Sequence, residues 1–119
     1  MASLLCLISL AFSLTPSPYV TVRDASELGK WVDFKVCVEG IITSEVSQHL
    51  VASPTSYPQV NYFIMDGQRM IVYSKTPIKL GKTKVYGSVL PIRGYAKGPD
   101  PREEYIEYHI LADKWDYLN

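Results

Sequence analysis

Five separate stretches of the chain are rich in apolar residues, and the first of them sets apolar against polar residues at every second position. Alternation of this kind puts successive side chains on opposite faces of an extended backbone, so it predicts strands with one face on a core. The clearest case is Val32, Phe34, Val36 and Val38 set against Asp33, Lys35, Cys37 and Glu39, running through Gly40 into Ile41-Ile42-Thr43. A second strand is predicted over 60–65 and a third over 70–74, joined by Asp66-Gly67, a tight hairpin signal. The fourth covers 84–92 and the fifth 105–112, with Trp115 closing the chain. Gly40 and Gly87 fall inside the first and fourth strands, where a glycine marks a bulge or a bend. A closed sheet needs such a bend in any strand that serves two of its sides.

The remaining segments read as connections. Asp24 is placed to cap a short helical turn, with Glu27 three residues on and Gly29 to end it. Residues 45–58 are polar and punctuated by Pro54 and Pro58, a long loop of the kind that carries function on small domains. Residues 76–82 form a short link, with room for one helical turn, and 94–101 a Gly/Pro-rich loop. No repeat and no long helical pattern follows the first fourteen residues.

Those first residues stand apart. Residues 4–14, Leu-Leu-Cys-Leu-Ile-Ser-Leu-Ala-Phe-Ser-Leu, are an apolar run too short to span a bilayer, which takes about 20 residues. The run has the length of a signal-peptide core, and Ala11 and Ser13 offer a small-x-small cleavage site, but no Lys or Arg precedes it. Three readings stay open: an export or membrane-tethering signal, a segment packed on the end of the domain, or the tail of a longer leader. The first makes the protein extracytoplasmic or membrane-tethered; otherwise it is cytoplasmic. Thr15-Pro16-Ser17-Pro18 breaks whatever precedes it, so the expected division is 1–14, 15–18 and a single folded domain over 19–119.

Charge changes the picture more than composition does. The 119 residues hold twelve Lys/Arg and twelve Asp/Glu, for a net charge of zero. Yet the stretch from Gly67 to Pro99 contains seven cations and no acid: Arg69, Lys75, Lys79, Lys82, Lys84, Arg93 and Lys97. Tyr73, Tyr86 and Tyr95 are interleaved with them. Cations that track phosphates, beside rings on which bases stack, are the requirements of a platform for single-stranded nucleic acid. The competing reading is a solvated sheet face whose charges pair with acids from other strands.

Three local patterns carry a resemblance. They are Gly29-Lys30-Trp31-Val32-Asp33-Phe34-Lys35-Val36-Cys37-Val38-Glu39-Gly40-Ile41-Ile42, then Tyr62-Phe63-Ile64-Met65-Asp66-Gly67 with Met70-Ile71-Val72-Tyr73, then Leu80-Gly81-Lys82-Thr83-Lys84-Val85-Tyr86-Gly87-Ser88-Val89. In this order they resemble the nucleic-acid-binding OB-fold family across residues 19–118, the first pattern being two residues longer than usual. The resemblance implies a five-stranded Greek-key barrel whose ligand crosses the second and third strands between two flanking loops. On this chain those are residues 59–75, 45–58 and 94–103. The helix common in the family between strands three and four has at most seven residues available here.

The candidate interface is therefore Tyr62, Arg69, Tyr73, Lys75, Lys84, Tyr86, Arg93 and Tyr95. Tyr62, Tyr73 and Tyr86 are expected to stack bases, and Arg69, Lys75, Lys84 and Arg93 to meet phosphates, with Arg93 and Tyr95 clamping the strand beside the second loop. Tyr62 and Phe63 are adjacent and face opposite sides, so one of them is core. Trp31 and Trp115 are placed to plug the ends of the barrel. Cys6 and Cys37 make neither a disulfide framework nor a metal cluster, and His49 and His109 show no ligand spacing. Glu103, Glu104, Glu107, Asp113 and Asp116 make the last strand acidic, which suits an edge protected against pairing. No nucleophile elbow or phosphate loop occurs. The expectation is a non-catalytic module without metal or cofactor that binds single-stranded DNA or RNA. Its rival is an exported or membrane-tethered OB-fold module for a protein or small ligand, touching a membrane only through its apolar N-terminus.

Overall fold

The computed structural model describes residues 17–52 and 54–119. The apolar run at 4–14 and its expected roles lie outside the described residues. Six strands form one mixed sheet: β1 Val20–Thr21, β2 Lys35–Thr43, β3 Gln59–Met65, β4 Gln68–Ser74, β5 Gly81–Tyr95 and β6 Glu104–Tyr117. A 3-10 helix at Ala25–Trp31 precedes β2. Asp24 caps that helix as expected, its side chain accepting from the Ser26 N–H at 2.9 Å. Glu27 does not complete a capping pair but lies 3.8 Å from Lys30, and Gly29 falls inside the helix, which runs on to Trp31.

The pairings run in a ring. β2 pairs antiparallel with both β3 and β5, β3 with β4, and β5 with β6; β4 and β6 join in parallel through Val72–Ile110 and Tyr73–Leu111. β1 adds two residues alongside β2. The fourth and fifth strands are longer than the pattern showed: β5 starts at Gly81 and β6 runs on to Tyr117 inside the ring, and β5 also continues to Tyr95 in a hairpin arm where β5 and β6 pair only with each other.

Alternation sorts the side chains as predicted from Val36 onward; Val32 and Phe34, expected to open the first strand, lie in the turn before β2, and Phe34 is exposed. Val36, Val38, Ile42, Phe63, Met65, Val72, Val85 and Ile110 point into the ring and are buried. Trp31 and Trp115 pack against this core and are partly buried. Phe63, not Tyr62, is the core member of that pair. The link over 75–80 contains no helix. Buried Asn61 fastens it instead, donating to Val72 O at 3.0 Å and Ser74 Oγ at 2.8 Å and accepting from the Ile78 N–H.

Two glycines permit close approach of backbone. A Cβ on Gly87 would lie 1.9 Å from the Leu111 carbonyl oxygen, beside the register shift between β5 and β6. One on Gly40 would lie 2.4 Å from Ile64 O and against the Phe63 ring. Gly87→Ala therefore forces the two longest strands apart where they share the ring, and is expected to cost about 1–3 kcal/mol or more. A fall in the urea midpoint at unchanged slope is the measurement that checks this.

Candidate nucleic-acid interface

The outer face of the ring is where a ligand would lie, and part of it is covered. Ile71 and Tyr73 on β4 point outward, in register with Tyr62 and Val60 of β3, and His109 points outward from β6. Yet Ile71 and Tyr73 are 0% exposed and His109 is 1% exposed. The connection from β2 to β3, described over 44–52 and 54–58, crosses over them at His49 and Leu50. The His49 ring lies 5.7 Å from the Tyr62 ring and 5.9 Å from that of His109. Leu50 packs on Gly94 of β5, where a Cβ would fall 2.6 Å from its Cδ2.

A buried polar chain runs beneath this strap. Tyr73 Oη is 2.8 Å from His109 Nδ1, and His109 Nε2 is 2.9 Å from Glu107 Oε1. A carboxylate only accepts, so in the neutral imidazole Nε2 carries the hydrogen and Nδ1 accepts from the tyrosine. The Glu107 end reaches the strap's main chain: the Leu50 N–H donates to Glu107 Oε1 at 3.0 Å. Burial pushes the Tyr73 hydroxyl up from its ordinary pKa. Burial also holds His109 below its ordinary value, a shift that Glu107 opposes and His49 reinforces.

The eight residues singled out in the sequence do not converge. Tyr73 is buried under the strap, so the expectation that it stacks a base is corrected: its ring belongs to the packing and its hydroxyl to the polar chain. Tyr62 is half-buried against His49. Arg69 pairs with Glu45 at 3.3 Å, and Arg93 pairs with Glu104 across the hairpin arm. Tyr95 is 57% exposed on that arm, away from the ring. Lys75 lies 5.7 Å from the ring of Tyr57, on the strap. The expected salt pairing of the basic run with acids from other segments thus holds for both of its arginines.

Lys84 and Tyr86 are the pair that stays together, on the outer face of β5 as the alternation required. Two further residues join them. Lys114 of β6 stands 4.8 Å from the Tyr86 ring centre and 5.5 Å from that of Tyr19, and Lys84 is 5.5 Å from Tyr86. The Tyr19 and Tyr86 rings meet edge to face at 5.2 Å. Lys114 lies in the acidic last strand, outside the basic run, so charge counting along the chain could not find it; it appears opposite Tyr86 only through the register of β5 and β6. The same face carries acids: Lys84 is opposite Glu39 on one side and Asp116 on the other. Lys35 is held 2.8 Å from Asp113, a contact that raises the lysine's pKa. Cys37, cross-strand from Tyr86, is a buried strand-face residue whose thiol burial pushes upward.

The chain matches no family model, no curated protein and no solved structure.

The placements of the two β3–β4 tyrosines separate by stability. Tyr73→Ala leaves a cavity and an unpaired His109 Nδ1 and is expected to cost about 3–5 kcal/mol. Tyr62→Ala, at a half-buried site, is expected to cost about 1–2 kcal/mol. Paired urea titrations measure the difference.

Proposed function

We propose that the ring is the five-stranded Greek-key barrel of the OB fold, and that it serves as a non-catalytic module binding single-stranded DNA or RNA. Support for the fold comes from the order β2-β3-β4-β6-β5 returning to β2, with its one parallel joint at β4–β6. Support for the ligand rests on a single observation: Lys84 and Lys114 interleave with Tyr86 and Tyr19 on one outer face.

That arrangement suits a flexible polyanion. An exposed lysine over an aromatic ring gains only about 0.5–1 kcal/mol. Each ammonium can therefore move to a phosphate at little cost, freeing a ring face for a base. Stacking contributes about 1–3 kcal/mol per base, whatever its identity. Glu39, Asp113 and Asp116 on the same face keep the local field weak, so the binding is modest and tolerant of sequence. Tyr62, Arg69, Lys75, Arg93 and Tyr95 remain peripheral candidates, each held by another contact or set apart on the arm.

A second reading, a module for a protein partner, is favoured by one observation. Val46 and Val51 on the strap are 73% and 80% exposed, and Val60 beside it is 46% exposed. These three branched apolar side chains have no role in holding a nucleic acid.

Fluorescence anisotropy with a labelled single-stranded oligonucleotide at several salt concentrations tests the proposal. Neutralising about two phosphates gives a slope of log affinity on log salt near −1.4, at about 0.7 ions per phosphate. Lys84→Ala is expected to make the slope shallower by about 0.7. Tyr86→Ala is expected to weaken binding by about 1–3 kcal/mol at unchanged slope, because stacking releases no ions. No binding at low salt removes the nucleic-acid reading and leaves the protein-binding one.

A further inference from the structure

The chain has two histidines, and both lie at the contact between the strap and the sheet. His109 joins Tyr73 to Glu107, Glu107 receives the Leu50 N–H of the strap, and the strap's His49 ring lies 5.9 Å from that of His109. We propose that Tyr73, His109 and Glu107 form a clasp that holds residues 44–58 over the outer face of β3 and β4 while His109 is neutral, and that protonation of His109 releases the strap and uncovers that face.

The hydrogen-bond directions explain the release. With His109 neutral, the donors and acceptors match: Tyr73 O–H to Nδ1, Nε2–H to Glu107, Leu50 N–H to Glu107. A proton on Nδ1 sets a second donor against the tyrosine hydroxyl. The hydroxyl hydrogen must then turn away, into a site with no exposure to water. A buried donor without an acceptor is costly. The groups facing His109 from each packed element divide in sign. Glu107 on β6 favours the imidazolium; His49 on the strap opposes it from 5.9 Å; Tyr73 on β4 is neutral. Arg69 lines the same cavity, of about 330 Å³, and is also cationic. Burial adds to the opposition.

The sign of the pH dependence follows. His109 has a lower pKa under the strap than its ordinary value of about 6.5 in water. The strapped form therefore keeps its full stability above that ordinary value and loses it as pH falls below it, toward the lower value held under the strap. Over that window the ratio of open to strapped molecules rises up to about tenfold per pH unit.

Hydrogen exchange on the full chain, read by mass spectrometry from pH 7.5 to 5.0 and corrected for intrinsic rates, tests this with no ligand present. It is thus independent of the nucleic-acid reading. Protection of peptides spanning 44–58 is expected to fall by up to about tenfold per unit below pH 6.5, while peptides from β2 and β5 stay protected. His109→Gln, which retains a donor and an acceptor but does not titrate, is expected to make strap protection flat with pH. Tyr73→Phe is expected to lower it at every pH. Strap protection that is flat in the unmodified protein, that falls only together with β2 and β5, or that keeps its pH dependence in His109→Gln overturns the proposal. Should either variant fail to fold, the comparison of strap with strands in the unmodified protein decides alone.

Discussion

Two residue pairs between β4 and β6 turn a row of strands into a ring. Val72 with Ile110 and Tyr73 with Leu111 are the whole of that joint, and it is parallel, so no hairpin turn could have made it. The two ends of the joint face different environments. Val72 and Ile110 point into the core, completing the apolar interior begun by β2 and β3. Tyr73 points outward and would be a wet aromatic if nothing crossed it. Closing the ring brings Tyr73 beside His109, whose sequence separation of 36 residues hides the contact from any local reading. The cover over that pair, the polar chain beneath it and the position of the strap all depend on the joint.

Much of the fold was legible because it is local. Period-two alternation marked β2, apolar runs between turn signals marked β3 through β6, the Asp66-Gly67 turn marked their tightest connection, and glycines marked the two places of closest backbone approach. The ends of β5 and β6 were not legible: Arg93 and Tyr95 sit in strand on a hairpin arm outside the core by virtue of a partner alone, and Lys114 to Tyr117 are polar at alternate positions without an apolar pattern to mark them.

The candidate site was legible only in part, for a related reason. A run of like charge in sequence says nothing about which face each charge takes. Arg69 and Arg93 met carboxylates from the strap and from β6, while Lys84 and a lysine from the acidic end of the chain converged on Tyr86. Tyr73 was misread because alternation shows the side of a sheet, not whether a distant loop lies upon it. Its burial depends on residues 49–52, which carry no periodic signal at all.

The strap's main chain is tied down by the Leu50 N–H. Any residue except proline offers the same hydrogen. Of its side chains, Glu45, His49, Leu50 and Tyr57 reach the sheet, whereas Val46, Gln48 and Val51 face solvent. Substitutions at 46, 48 or 51 can rewrite what the segment presents to its surroundings while its anchorage stays as it is. Such a division lets a lineage, or an engineer, exchange binding preferences without first rebuilding the lock.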